Sequence, residues 1–363
     1  MKIQKLGDSK IIMSNPDSKH RYFGWPTVTR LQNGKIAVVA SGFRLRHVCP
    51  FGKTVIAYSE DNGETYTAPA AVIDTPLDDR DGGITPFGEN SVIVTSFNNT
   101  VAYQRSKPFA SPYALAYLDS ITPEEEERFL GSTFRISHDG GVTFGELHKA
   151  PITSPHGPLE MPDGSLLWIG RRFLARYSTM TGKDNICAYR IDRDGNCEFV
   201  GEIEDIYDEN GVLAMSCEPH AIRLEDGTIL VHIRVEKASE NGALQFTMFQ
   251  SESQDDGRSW SKPHPILPNR GGAPAHLFRH SSGLLLCTYS YREEPYGVRV
   301  MFSRDNGKTW DTGDYELYRG VSWDLGYPST VELADGSMLT VFYAWPDHDT
   351  PAVILQQKWK LEE

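Results

Sequence analysis

The chain is made of short runs in which apolar and polar residues alternate, the two-residue period of a half-buried strand, and each run is broken by a glycine-containing turn. One phrase recurs: an extended segment, an alternating run, then Asn-Gly, Asp-Gly or Ser-Gly, then a second β-rich run. It occupies Trp25–Gly34, Pro155–Gly164, Glu218–Gly227, Pro274–Gly283 and Tyr327–Gly336, and the runs that follow include Ile36–Ala40, Thr228–Ile233 and Met338–Tyr343. A weaker sixth copy, Gly82–Asn90, leads into Ser91–Thr95. Turns of this composition close β-hairpins, because Gly and Asn accept the positive φ that tight hairpin turns require. Gly164, Gly227, Gly283 and Gly336 follow one another at intervals of 63, 56 and 53 residues, enough for about four strands per unit. At 363 residues ordinary domain sizes would give two domains, whereas a closed all-β repeat absorbs the whole of 1–363 as one.

A second phrase falls between the hairpins, at Ser59–Tyr66, Ser137–Phe144, Ser253–Trp260 and Ser303–Trp310, with a degraded copy at Asp192–Asn196. Its pattern is Ser-x-Asp-x-Gly-x-Thr/Ser-aromatic, a turn in which Ser and Asp bond local backbone, Gly supplies positive φ and the aromatic packs between sheets. These four copies are identified as the Asp boxes of the sialidase superfamily, and with the six hairpins the chain resembles that superfamily over roughly residues 20–360. The resemblance implies an all-β fold, a six-bladed β-propeller of four-stranded antiparallel blades. The last blade would be completed by Lys2–Leu6 or Lys10–Met13 beside Val353–Leu361, which removes the open sheet edges. One insertion, about residues 101–131, carries a short helix: Thr122 as N-cap, Pro123 at the first position, an acidic first turn and Gly131 at the end. It reads as a lid, a dimer contact or a decorated surface loop.

Composition narrows the partners. Apolar residues are 39% and charged residues 23% of the chain, which excludes disorder and coiled coil. A net charge of −13 argues against nucleic acid or an anionic membrane as the partner. No apolar run is long enough to span a bilayer, and Met1–Asp8 has no signal-peptide apolar region, so a cytoplasmic location is expected. Cys49, Cys187, Cys197, Cys217 and Cys287 are scattered without paired spacing, so they read as mostly reduced thiols. No His-x-x-x-His or acidic cluster has metal-ligand spacing, and neither metal nor cofactor is expected.

Hairpin geometry locates the chemistry, because residues equidistant from a turn lie side by side on its two strands. In the fourth hairpin Glu218 comes near Arg234, in the sixth Tyr327 near Tyr343, and in the third His156 near Arg171 and Arg172. The fifth offers His276, Tyr291 and Arg292, and the first offers Arg44, Arg46 and His47 at the end of its second strand. In a propeller these ends converge on one axial pit, with the Asp boxes on the opposite face. A pit of arginines, a carboxylate, tyrosines and histidines, His220 among them, suits an acidic sugar held by charge-assisted bonds.

The resemblance implies roles residue by residue. Sialidases pair a glutamate with an arginine across a hairpin, as Glu218 and Arg234 do, and use a tyrosine nucleophile ahead of a Leu-x-Asp-Gly turn, as Tyr327 stands here. Arg292 is the choice for a second carboxylate ligand, with help from Arg46 or Arg171. Two features depart from the pattern: Gly24 replaces the first carboxylate-binding arginine, and the aspartate general acid is missing. His47 is a candidate donor, and the Asp78–Asp81 segment offers an acid, such as Asp81, with Arg80 as a replacement arginine. Trp25, Trp323 and Trp345 are either sugar platforms or wedges between blades. The expected activity is an exo-acting glycoside hydrolase removing a terminal sialic- or uronic-acid-like sugar from an oligosaccharide or glycoconjugate. The alternatives are a uronate lyase and a non-catalytic glycan-binding propeller.

Overall fold

The computed structural model describes residues 1–107, 111–172, 185–208, 210–238, 244–267 and 271–362. Its strands form six antiparallel sheets arranged as the blades of a propeller. Blade one is Tyr22–Arg30, Ile36–Arg44, Lys53–Ser59 and Ala70–Ile73; blade two is Arg80–Phe87, Ser91–Phe97, Ser132–Ser137 and His148–Ala150. Blade three is built on Leu166–Arg172, Ile186–Ile191 and Cys197–Glu202, with the short Ile152–Thr153 and Leu159–Glu160 on its inner side. Blade four is Met215–Arg223, Ile229–Ala238, Leu244–Ser253 and His264–Pro265; blade five is Gly272–Arg279, Leu285–Tyr291, Gly297–Ser303 and Asp311–Arg319. Blade six is Gly326–Glu332, Met338–Ala344 and Val353–Glu362, closed by the amino terminus.

Both amino-terminal candidates take part in that closure. Lys2–Lys5 pairs with the Trp359–Glu362 end of the last strand, and Lys10–Met13 pairs with its Ile354–Gln356 end. Strands alternate inward and outward, so every blade offers apolar residues on both faces, and six buried apolar seams fill the gaps between successive blades. The Asp boxes pin those seams. In each, the glycine N–H donates to the serine Oγ at 2.8–2.9 Å, and the aspartate accepts from the backbone N–H of the Thr or Ser four residues on. Asn62, Gly140, Asp256 and Asn306, at the fourth position of each box, take φ of 56–74°, a conformation that Asn, Asp and Gly adopt most readily. The closing aromatic then packs against the preceding blade. Tyr66 donates to Gln356 of blade six at 2.7 Å, and Trp310 donates to Gln250 of blade four at 2.8 Å.

The insertion folds as three helices, Val101–Arg105, Pro112–Ser120 and Pro123–Phe129, two more than the sequence signals. The expected cap is complete, with Thr122 and Glu125 forming a reciprocal capping box. The second helix stacks Tyr113 and Tyr117 on Phe51 of a blade-one loop, and Gln104 of the first donates to Asp78 at 2.8 Å. The insertion thus buttresses the side wall of blades one and two. Among the described residues no helix is long and apolar enough to cross a membrane.

The closing strand is expected to set global stability. Trp359 is fully buried in the seam between blades five and six and donates to Thr340 at 2.9 Å. Trp359→Ala should cost about 3–5 kcal/mol in urea denaturation; a loss under about 1 kcal/mol would mean that the seam collapses to refill the cavity.

Candidate active site

Five axis-facing residues share an unusual backbone. Trp25, Asp81, His156, Glu218 and Tyr327 have φ of 54, 52, 69, 49 and 48°, a left-handed conformation that bulky residues seldom take. Each stands where the innermost chain of its blade nears the axis, and each is followed by Pro or Gly: Pro26, Gly82, Gly157, Pro219 and Pro328. The ladder skips there, with register shifts at Gly24/Thr27, Arg80/Gly83, Cys217/His220 and Gly326/Ser329, and again at Gly272/Ala275 of blade five. A bulge of this kind turns a side chain out of the strand's regular alternation, here towards the axis.

Tyr327, Glu218 and Arg234 form a relay. The Tyr327 hydroxyl donates to Glu218 Oε1 at 2.6 Å, and Arg234 Nη1 donates to Glu218 Oε2 at 2.6 Å; a second Arg234 nitrogen binds Glu236. Burial would raise the Glu218 carboxyl, but Arg234, the Tyr327 hydroxyl and Arg292 outweigh it and hold the carboxylate below its ordinary range. Burial, with Glu218 and Asp81 nearby, pushes the Tyr327 phenol well above its ordinary value. At rest the proton therefore belongs to tyrosine. Arg292 lies 5.6 Å from the Tyr327 ring centre and donates to the Leu325 carbonyl at 3.1–3.2 Å and to the Tyr343 hydroxyl at 3.3 Å. It has no carboxylate partner among the described residues, so its charge is available to an anion.

Asp81 and Arg80 complete this wall. Arg80 stacks on Trp25 at 4.2 Å and lies 3.6 Å from Asp78 and 3.8 Å from Asp81. Arg80 Nε and Asp81 Oδ1 are buried without a hydrogen bond. Burial raises the Asp81 carboxyl to about 7, against Arg80 and with Glu218 adding to the rise, so one carboxyl of the pit is easily protonated while the other stays ionised. Asp78 and Asp79 are structural: Asp78 pairs with fully buried Arg44 at 2.5 Å, and Asp79 accepts from Thr75 and Asn98.

His47 enters the wall beside Trp25 and Trp323, with ring centres 5.0 and 6.2 Å away. Its Nδ1 is 2.9 Å from Asp324 Oδ1. Asp324, unsuspected from sequence, also accepts from Tyr22 at 3.0 Å, Tyr343 at 3.0 Å and Trp345 at 3.0 Å. These donors overcome burial and hold its carboxyl down at about 2. The only local signal was a carboxylate between Trp323 and the Gly326–Tyr327 turn. Gly24, where the resemblance leads one to expect an arginine, lies beside the same network: a Cβ there would be in ordinary contact with the rings of Tyr22 at 3.4 Å and Tyr343 at 3.6 Å.

Arg46 and Arg171 lie elsewhere, and three histidines form a cluster of their own on the axis. Arg46 lines a crevice against the helical insertion, with Gln104 and Lys107. Arg171 lies between blades three and four with Glu204 and Ser216, and its backbone pairs with Thr153 rather than with His156. His156, His220 and His276 cluster on the axis, with ring centres 4.3–5.6 Å apart, and line a 370 Å³ axial cavity with Thr27, Thr85 and Thr330. His220 Nδ1 accepts the Leu277 N–H at 2.9 Å, which places its proton on Nε2 and denies that atom to a metal. Among the described residues no group of His, Cys, Asp and Glu is arranged to hold a metal ion.

Burial keeps these histidines neutral, with His220 and the core His232 pushed down to about 3. Their folded values lie below the unfolded value of about 6.5. Stability is therefore full above pH 6.5 and lost as pH falls towards 3, because only the unfolded chain takes up the protons. Urea midpoints should drop between pH 6.5 and 5, and His232→Gln should flatten that slope by about one proton; an unchanged slope would show that His232 titrates normally in the folded state.

The family model described as "BNR repeat-like domain" matches residues 99–341. No curated protein matches the chain. Among solved structures, a protein of unknown function from Dyadobacter fermentans superposes with a TM-score of 0.77 at 18% identity, covering 99% of both chains. The NanB sialidase from Streptococcus pneumoniae gives 0.67 at 12% identity, covering 98% of this chain and 71% of that one. An α-L-arabinofuranosidase from Fusarium graminearum gives 0.64 at 11% identity, covering 98% of both. At these identities the likeness is one of fold.

Proposed function

The chain belongs to the BNR repeat-like domain family, and from that membership we propose that it is an exo-acting glycoside hydrolase that removes a terminal acidic sugar from an oligosaccharide or glycoconjugate. The observation that carries this reading is the Tyr327–Glu218–Arg234 relay, closed by two 2.6 Å hydrogen bonds beside Arg292. A phenol is a weak nucleophile while it keeps its proton. Glu218, ionised and in contact with the hydroxyl, takes that proton as the Tyr327 oxygen bonds to the anomeric carbon, so no free phenolate has to form in the buried pit. A neutral nucleophile also avoids repulsion with an anionic substrate. Arg292 supplies charge for the sugar's carboxylate, with Arg80, whose own charge is shared with Asp78 and Asp81, completing the same wall. Protonated Asp81 can donate to a ring hydroxyl. Glycoside hydrolases of the sialidase and arabinofuranosidase kinds on the same propeller fold support the class of reaction.

Hydrolysis through a tyrosyl adduct retains configuration. Incubation with sialyllactose and with glucuronate-capped oligosaccharides should release one sugar as its retained anomer by NMR, with a mass gain of one water. Tyr327→Phe and Glu218→Gln should each lower kcat by about 10²–10⁴-fold. A chain-end fragment lacking that water would show elimination instead, and saturable binding without product would leave a glycan-recognition propeller.

A further inference from the structure

The geometry points to a His47–Asp324 dyad as the proton shuttle of this site: His47 Nε2 protonates the departing glycosidic oxygen and then deprotonates the incoming water, while Asp324 positions the ring. This inference rests on the hydrolase reading above. Three observations carry it.

First, the hydrogen bonds select one tautomer. Asp324 is 2.9 Å from His47 Nδ1 and, as a carboxylate, can only accept. Nδ1 therefore keeps its hydrogen, and the exchangeable position is Nε2. An Asp that holds Nδ1–H while Nε2 exchanges protons is the arrangement by which histidine acts as acid in one half-reaction and base in the next. Second, Asp324 is built for positioning. It is nearly buried, and Tyr22, Tyr343 and Trp345 all donate to it from blades one and six. Mutually supporting donors fix the carboxylate, and through it the imidazole plane. Third, His47 is open where Asp324 is closed: 37% of its side chain is exposed against 9% for Asp324. Trp25 links it to the nucleophile, edge-on to both rings, with its centre 5.0 Å from His47 and 6.4 Å from Tyr327.

The steps balance. In the first, the Tyr327 oxygen bonds to the anomeric carbon, the bond to the leaving oxygen breaks, that oxygen takes the Nε2 proton of the His47 imidazolium, and the phenol proton passes to Glu218. In the second, water bonds to the anomeric carbon and gives a proton to neutral His47 Nε2, while the Tyr327 oxygen departs and recovers its proton from Glu218.

The groups facing His47 set its titration. Asp324 favours the imidazolium; burial and the charges of Arg80 and Arg292 oppose it, and the net direction is down from the ordinary value. Tyr22 contributes a hydroxyl 3.2 Å from Nδ1, and Arg44 donates to the His47 carbonyl at 2.9 Å. The first step needs the imidazolium, so turnover should fall on the alkaline side as pH rises through a value below 6.5. Loss of the Asp324 charge should move that limb to lower pH.

The test compares methyl and 4-nitrophenyl glycosides of N-acetylneuraminic acid and of glucuronic acid. Nitrophenolate leaves without a proton, whereas methoxide does not. His47→Gln and Asp324→Asn should lower kcat/KM for the methyl glycoside by about 10²–10⁴-fold and for the nitrophenyl glycoside by less than about tenfold. The alkaline limb should shift down in Asp324→Asn and return towards the wild-type position in Asp324→Glu. The ratio between two substrates cancels the amount of folded enzyme, so a poorly folding variant still reports. Equal losses on both substrates with an unmoved limb would overturn the dyad, as would a leaving-group dependence found in Asp81→Asn and absent from His47→Gln. In either case loss of both activities in Tyr327→Phe would leave the hydrolase reading standing. Turnover of neither glycoside by the wild type would overturn both.

Discussion

The site depends on one backbone constraint: the left-handed residue at the axial bulge of the blades. A strand of regular alternation would send the residues at these positions alternately into the seams on either side of the blade, and none would point along the radius. The bulge breaks that alternation at one place and delivers Trp25, Asp81, Glu218 and Tyr327 to a common axis, which His156 reaches from the left-handed turn between Ile152–Thr153 and Leu159–Glu160. Holding a bulky residue at positive φ costs of order 1–3 kcal/mol each. Six apolar seams and the Asp-box turns supply the packing that keeps them there. The following Pro or Gly completes the device: Pro withdraws an N–H from the ladder where the pairing is interrupted, and Gly avoids a Cβ, which at Gly82 would meet Val39 and at Gly157 would meet Thr85 of the neighbouring blade.

Once these side chains are gathered in a buried pit, electrostatics differentiates them. Two carboxylates of the same ring end in opposite states. Glu218 is ionised because Arg234 and the Tyr327 hydroxyl satisfy it, and Asp81 is raised to about 7 because burial, with Glu218 nearby, outweighs Arg80. A third, Asp324, is driven down to about 2 by four donors. Low dielectric magnifies each difference, so differences in burial and in charged and hydrogen-bonding partners become changes of role. Beside Gly24, Tyr22 and Tyr343 both donate to Asp324, so this corner of the site carries an oriented carboxylate.

Much of this was legible in the sequence because it is local. The Asn-Gly and Asp-Gly turns fix hairpin register, and register brings Arg234 opposite Cys217 and Tyr343 opposite Gly326, within one residue of Glu218 and Tyr327. The Ser-x-Asp-x-Gly boxes are closed by hydrogen bonds that span no more than four residues. Hairpin distance stops being a guide where the chain leaves the ladder. Arg46 lies in the bend beyond the strand that ends at Arg44 and lines a crevice against the insertion, and Arg171 pairs with Thr153 and lines a crevice between blades three and four.

The sequence by itself therefore determined the repeat and the Glu218–Arg234 pair, which follow from the two-residue period, turn chemistry and hairpin distance, each acting within one blade. The propeller was legible through the resemblance that the Asp boxes carry. Only the tertiary structure decided what those residues meet. His47 and Asp324 are 277 positions apart, Tyr327 and Glu218 are 109 apart, and Trp25 comes between His47 and Tyr327. Contacts of that kind exist because closing the ring brings blade six against blade one and sets blade four across the axis, and the angle of closure is a property of all six seams together rather than of any segment of the chain.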